Sequence, residues 1–188
     1  MNLLSTDNQR MYFTKRRMHN KQVLRVTQST RDHGAKLIAE MCPHFISVLQ
    51  EAKKQVEFVD MDNPQMNDTV GRAFSIVFEN TPYFLEWALL FPDTVHEFLA
   101  AEANRTDLIR WAIKLTRLSG LLSTEDERMI ADAEQELNFV PRKHDYRNPY
   151  SIFQDMMLEN EKAFRRLPEK GKRRIRRPRL TQRIDDDL

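Results

Sequence analysis

The stretch that decides the fold is Ala73-Phe-Ser-Ile-Val-Phe-Glu-Asn-Thr-Pro-Tyr-Phe-Leu-Glu-Trp-Ala-Leu-Leu-Phe91. Its apolar residues begin with Phe74 and Val77, pause at Pro82 and resume at Phe84, in steps of three and four. Such spacing places the apolar side chains on one face of a helix, whereas strands alternate every second residue. The stretch therefore predicts a core helix that starts near Thr69 and is kinked at the proline.

The same periodicity recurs on both sides of this stretch. Only four glycines are present, and the eight prolines fall mostly between periodic segments, which is typical of helix boundaries. The sequence therefore predicts an all-α protein, a compact bundle of about six or seven helices. Besides Thr69–Phe91, helices are predicted with approximate bounds over Asp7–Asp32, Ala35–Phe58, Asp93–Ala101, Asp107–Leu118, Thr124–Leu137 and Pro149–Arg166.

Capping signals fix several of these ends. The helix before the core stretch places Leu37, Met41, Phe45, Val48, Ala52 and Val56 on one face, and Pro43 should kink or restart it. Thr106-Asp107 predicts one helix start, and Thr124 with Glu127 fits a capping box. Asn148-Pro149 predicts an N-cap followed by proline at the first helical position. Gly34 is expected to end the first helix.

Charge divides the chain into two parts. Residues from Arg165 to Leu188 hold 10 of the 30 Lys and Arg residues but only 4 of the 28 Asp and Glu residues. We therefore predict a helical domain over residues 1–166 and a disordered basic tail over 167–188. The basic residues of the tail resemble a nuclear-import or phosphate-binding patch; they are Lys170, Lys172, Arg173, Arg174, Arg176, Arg177 and Arg179. Because the tail has no aromatic residue to stack on bases, nucleic acid is an unfavoured partner.

Signatures of enzymatic chemistry fail at defined positions. His96-Glu97 begins like a zinc-protease motif, but Ala100 stands where the second histidine is needed. Asp60-x-Asp62 begins like a calcium loop that Pro64 interrupts. The single cysteine, Cys42, excludes an internal disulfide and a cysteine-based zinc site. We expect no catalytic residue, metal, cofactor or small-molecule substrate. No membrane span is expected either, since the most apolar run, Phe84 to Phe91, has eight residues and contains Glu86.

Three short motifs suggest processing in the secretory pathway. Asn67-Asp-Thr69 and Asn104-Arg-Thr106 match the acceptor sequence for N-glycosylation, with helix capping as the alternative at the second site. The chain ends in Asp185-Asp186-Asp187-Leu188, a degenerate relative of the lumenal retrieval signal. A simple charge balance for the basic tail is the alternative interpretation of this terminus.

Three motifs in order carry a family resemblance: Ala73 to Phe84, Phe91-Pro-Asp-Thr-Val-His96 and Leu108-Ile-Arg-Trp111. With weaker matches at Gln135-Glu-Leu137 and Asn148-Pro-Tyr150, the sequence resembles the coiled-coil domain-containing protein 134 family in a divergent, invertebrate form. The matched motif residues are Phe74, Asn80, Thr81, Phe84, Pro92, His96 and Trp111.

The resemblance implies a non-catalytic adapter in the lumen of the endoplasmic reticulum. Members are understood to hold nascent endoplasmin and the oligosaccharyltransferase at a translocon, which prevents endoplasmin from being hyperglycosylated. Under this hypothesis Phe74, Phe84 and Trp111 belong to the core, and Asn80 or Thr81 bonds the carbonyl that Pro82 frees. Partner-binding candidates are Trp87, Phe91 and Arg110, of which the arginine is expected to pair with Glu79 or Asp93.

One departure from the family keeps the compartment open. Residues from Met1 to Asn20 contain Asp7 and Arg10 and lack the apolar core of a signal peptide. The chain is therefore expected either to be a mature or truncated form or to lie outside the lumen. The alternatives are a nuclear cofactor that uses the basic tail and a secreted, cytokine-like helical factor.

Overall fold

The structure, a computed structural model, describes Met18, residues 31–57 and residues 68–166. Its described part confirms the all-α class and contains six long helices. In chain order they are α1 (Arg31–Val56), α2 (Asp68–Leu90), α3 (Pro92–Ala100), α4 (Ala103–Leu118), α5 (Thr124–Glu136) and α6 (Ser151–Arg166). The predicted helix Asp7–Asp32 falls mostly outside the described residues, as do most of the 60–68 loop and the whole tail 167–188. The boundary at residue 166 therefore stays a prediction.

Helix α2 is the centre of the bundle and contacts each of the other five helices. All ten residues from Thr81 to Leu90 are buried. A helix that is apolar on every side must be surrounded by other elements, which explains why this stretch organises the fold. The largest side chains of the core come from it, including Phe74, Phe84 and Trp87.

Pro82 lies inside α2 without ending it. The sequence analysis predicted that Asn80 or Thr81 donates a hydrogen bond to the carbonyl that Pro82 leaves without a partner. Both side chains donate hydrogen bonds, but to other carbonyls. The Thr81 hydroxyl donates to the Val77 carbonyl at 2.7 Å, and the Asn80 amide donates to the Ile76 carbonyl at 2.8 Å. The carbonyl four residues before the proline belongs to Phe78. Both side chains instead fold back onto the preceding turn, where such bonds bend a helix.

Helix α1 differs from its predicted form in two ways. Its described part, from Arg31 onward, includes Gly34, and it runs through the exposed Pro43 without restarting. Its buried face contains Ile38, Cys42, Phe45, Ile46, Leu49, Ala52 and Val56. The face is thus turned from the predicted one, since Leu37, Met41 and Val48 are only partly buried. Phe45 is common to both faces, and its ring packs edge-on against Tyr83 and Phe84 of α2.

The ends of the shorter helices shift by up to one turn from their predicted positions. Helix α4 begins at Ala103, and its N-cap residue Glu102 makes no capping bond with its side chain. The capping box of α5 uses Ser123 and Asp126, one residue before the predicted pair. Gly120 separates the two helices with a φ of +68°, a conformation that glycine adopts without strain.

Candidate partner-binding surface

Two of the three predicted partner-binding residues are core residues. Trp87 is 1% exposed and Phe91 is 4% exposed. Their rings contact each other, with centroids 6.2 Å apart, and Trp87 also contacts Tyr83. The prediction that Trp87 and Phe91 line a surface groove was therefore wrong. The sequence could not separate a binding aromatic from a packing one, because both follow the same helical spacing.

Arg110 is exposed on α4 but has another partner than the predicted acids. Its guanidinium donates to the carbonyl of Phe139 at 3.0 Å and lies 4.3 Å from the centroid of the Phe139 ring. A guanidinium stacked on an aromatic ring holds the ring by a cation–π contact. Arg110 therefore fastens the loop after α5 onto α4, and it remains available at the surface.

The remaining motif residues divide between core and surface. Phe74 and Phe84 are fully buried, as predicted from the helical spacing. Trp111 is only partly buried, and the Lys53 ammonium lies 5.6 Å from its ring centroid. Pro92 occupies the first turn of α3, where its missing N–H costs nothing.

A cluster of polar side chains around Glu136 joins segments that are far apart in sequence. The Glu136 carboxylate accepts hydrogen bonds from the Tyr146 hydroxyl at 2.9 Å and the Asn148 amide at 3.2 Å. Arg142 donates to both the carboxylate and the carbonyl of the same residue. Glu136 is buried, so these donors replace the water that its charge loses on folding. We call these four residues, Glu136, Arg142, Tyr146 and Asn148, the Glu136 cluster.

The cluster also connects to the central helix. Asn148 donates a second bond to the Leu89 carbonyl at 2.9 Å, and Gln154 donates to the same carbonyl at 3.0 Å. The Tyr150 hydroxyl donates to Glu86 at 2.9 Å. Residues 138–150 are thereby held against α2 and α5 by hydrogen bonds from side chains, since they contain no helix of their own.

Sequence reasoning missed the Glu136 cluster, although the signal for it was present. The weak matches Gln135-Glu-Leu137 and Asn148-Pro-Tyr150 and the histidine of Phe91–His96 all meet at this point. His96 Nε2 lies 2.8 Å from the Glu136 carbonyl, and Gln135 accepts from the Lys143 backbone at 3.0 Å. Motifs that looked unrelated along the chain are one contact region in space.

Burial raises the pKa of several groups in this bundle, among them Cys42 and Tyr146. It raises the pKa of the Cys42 thiol to about 12, against a smaller lowering by Arg105. Burial also raises the pKa of the Tyr146 hydroxyl, and the hydrogen bond to Glu136 raises it further. Both groups are therefore neutral near pH 7, where a thiol in this state is a poor nucleophile.

Other predicted sites lie at the edge of the described chain or beyond it. Asn104 is exposed in the first turn of α4, inside a helix and not in the expected loop or cap. Asn67, the basic residues from Lys170 to Arg179 and the terminal Asp185–Leu188 lie outside the described residues. Among the described side chains, no group of three or more His, Cys, Asp or Glu is placed to hold a metal ion. None of the described helices is long and apolar enough to span a membrane.

These residues define the protein as a helical bundle. Its clustered polar groups pack the helices together and attach the loop after α5. The family described as "ERK and JNK pathways, inhibitor" matches residues 6–181, and the chain belongs to that family.

Two relatives confirm the resemblance found in the motifs. The chain is 29% identical over 135 residues to Coiled-coil domain-containing protein 134 of Xenopus tropicalis. This alignment covers 70% of the present chain and 59% of the frog protein. The chain is 28% identical over 162 residues to the Mus musculus protein of the same name. This alignment covers 84% of the present chain and 71% of the mouse protein. The chain thus spans less than two thirds of the frog relative. Neither name denotes an enzymatic activity, and no solved structure matches the chain.

Proposed function

We propose that this protein is a non-catalytic adapter in the lumen of the endoplasmic reticulum that protects endoplasmin from hyperglycosylation during its synthesis. The observation that carries the proposal is the similarity to Coiled-coil domain-containing protein 134 over 70–84% of the chain. Of the shared motifs, Ala73–Phe84 lies in α2, Pro92–His96 in α3 and Leu108–Trp111 in α4. A shared fold does not by itself fix a function, so the sequence similarity carries the proposal.

The chemistry of the described surface supports an adapter. The titratable groups of the Glu136 cluster are engaged in hydrogen bonds that hold the fold together. The one thiol is buried and has a raised pKa. Exposed apolar side chains such as Leu118, Ile152 and Met156 are instead the kind of contact that protein partners use.

The test is the glycosylation of endoplasmin in cells that lack this protein. Endoplasmin is expected to migrate more slowly on a denaturing gel than in control cells, and glycosidase treatment should remove the difference. Re-expression of the wild-type chain should restore the normal mobility. Unchanged endoplasmin mobility in the depleted cells would refute the proposal.

Localisation is tested separately with a tag on the full-length transcript product. A reticular distribution is expected, together with a glycosidase-sensitive mass shift that is lost in the Asn67→Gln/Asn104→Gln double variant. A nuclear distribution without any shift would favour the cofactor role of the basic tail instead.

The description of the family favours a second candidate function, inhibition of the ERK and JNK pathways. In this case, raising the level of the protein should lower the phosphorylated fraction of both kinases after stimulation. If this effect persists when the chain is confined to the lumen by a strong retrieval signal, the inhibition is indirect. If it requires release into the medium or the cytosol, the family description applies directly.

A further inference from the structure

An open groove lies between the C-terminal end of α1 and one side of α4. We call it the Trp111 groove; its volume is about 490 Å³, and it is lined by Lys53, Val56, Glu57, Trp111, Lys114, Leu115 and Leu118. On α4 the lining residues follow each other in steps of three and four, which is the spacing of a packing face. Leu118, at the end of this face, is nevertheless 55% exposed.

The floor of the groove is apolar and its rim is basic. Val56 and Leu115 are buried, and Trp111 is half-buried beside them. Within the described part of the chain, neither Lys53 nor Lys114 forms a salt bridge. Among the described lining residues, Glu57 is the only acid, so Lys53, Lys114 and Glu57 together carry one net positive charge.

These features select an occupant with apolar side chains flanked by carboxylates. Exposed ammonium groups attract carboxylates in preference to other ammonium groups, and an apolar floor favours branched aliphatic side chains. The basic residues 170–179 of the tail are therefore unsuited to the groove. Residues 184–188, Ile-Asp-Asp-Asp-Leu, have the required composition. Ile184 and Leu188 are four residues apart, so one turn of helix would place both on the same side.

The tail is also long enough to reach the groove. Helix α6 ends at Arg166, which leaves 17 residues, 167–183, before the acidic segment. Fully extended, 17 residues span roughly 55–60 Å. A compact body of this size is roughly 35–40 Å across. The composition of residues 167–188 predicts disorder, and a linker of that kind gives an effective concentration on the order of 1 mM, so even a weak contact is populated.

We propose that the Trp111 groove binds residues 184–188 of the same chain. Ile184 and Leu188 lie on the floor formed by Val56, Trp111 and Leu115, and Asp185 and Asp187, on the two flanks of that turn, face Lys53 and Lys114. The bound tail covers both the groove and the retrieval-like terminus. A partner that takes the groove therefore releases the terminus, a coupling that goes beyond the adapter function.

The first experiment uses a fluorescein-labelled peptide of residues 180–188 and the full-length protein. Fluorescence anisotropy compares wild type with D185K/D186K/D187K, whose own tail no longer fits the basic rim. The peptide is expected to bind this variant at least tenfold more tightly, because the wild-type tail already occupies the groove. Equal affinity for both proteins, or binding to neither, would overturn the proposal.

The second experiment locates the site on the D185K/D186K/D187K background. Adding K53E/K114E is expected to weaken peptide binding at least tenfold. The matched control K36E/K143E changes the charge by the same amount at two exposed lysines outside the groove, and it should leave the affinity unchanged. A similar loss in both variants would show that only net charge matters and would overturn the proposal.

A charge-swapped peptide guards against misfolding of the groove variant. In chains that keep Asp185, Asp186 and Asp187, the peptide with lysine at positions 185–187 should bind K53E/K114E more tightly than it binds K36E/K143E, which requires an intact groove. Sedimentation of the wild-type chain separates binding within one chain from binding between two. A monomer over a hundredfold range of concentration supports the proposal, whereas concentration-dependent dimers would assign the tail to a second copy.

Discussion

His96 Nε2 and the carbonyl oxygen of Glu136, 40 residues later in the chain, lie 2.8 Å apart. A carbonyl oxygen can only accept a hydrogen bond, so Nε2 carries the proton and the imidazole is the donor. This bond joins α3 to the last turn of α5, at the end where unsatisfied carbonyls accumulate. The carboxylate of the same glutamate binds Tyr146 and Asn148, so Glu136 connects three segments at once.

Replacing Asn148 with alanine should lower the free energy of unfolding by about 1–3 kcal/mol, because the buried Glu136 carboxylate and the Tyr150 N–H each lose a partner. Gln154 still donates to the Leu89 carbonyl, which limits the loss. Urea unfolding followed by circular dichroism measures the change. Asp145→Ala, at an exposed position in the same loop, is the control and should stay within about 0.5 kcal/mol of wild type. Equal losses in the two variants would contradict the role of the cluster.

Tyr146 and Glu136 should be energetically coupled. Tyr146→Phe removes a donor from a buried carboxylate, and Glu136→Gln removes the charge that the donor stabilises. A double-mutant cycle should give an interaction energy of about 0.5–3 kcal/mol, the range for residues in one hydrogen-bond network. Stabilities of the four proteins by urea unfolding complete the cycle. Additive effects would mean that the 2.9 Å contact contributes nothing of its own.

Stability should fall at alkaline pH through Cys42 and Tyr146. The pKa of each group is raised in the folded state, to about 12 for the thiol, so folded protein holds protons that unfolded protein has released. This contribution is complete below the unfolded thiol value near 8.5 and is lost as the pH rises toward 12. Unfolding curves between pH 7 and pH 11 measure it, and Cys42→Ala should flatten the slope above pH 8.5. A thiol reagent at pH 8 should label Cys42 only after urea is added. Rapid labelling of the native protein would contradict its burial.

Trp87 should matter for stability and not for direct contact with a partner. Trp87→Ala removes a fully buried side chain and should cost about 3–5 kcal/mol, whereas Trp87→Phe keeps most of the packing and should cost clearly less. Both are measured by chemical unfolding. The glycosylation assay on the Trp87→Phe protein then separates the two roles. A well-folded Trp87→Phe protein that fails to restore endoplasmin mobility would return this residue to the binding surface.

The sequence by itself determined the helical class, the position of the central helix and the family. These properties are local, because they can be recognised without knowing the tertiary contacts. They rest on side chains at steps of three and four, prolines at helix ends and short motifs in a fixed order. The start of α3 at Pro92 and the burial of Phe74 and Phe84 followed from them directly.

Tertiary structure alone decided which equivalent positions face inward and which distant groups meet. Helical spacing allowed several faces for α1, and packing in the bundle buried Ile38, Cys42 and Leu49 more fully than the predicted Leu37, Met41 and Val48. Tertiary packing buried Trp87 and Phe91 in the core and left Trp111 beside an open groove. The Glu136 cluster depends on the path of residues 138–150, which no periodicity encodes, since hydrogen bonds between side chains far apart in sequence form only once the helices have packed.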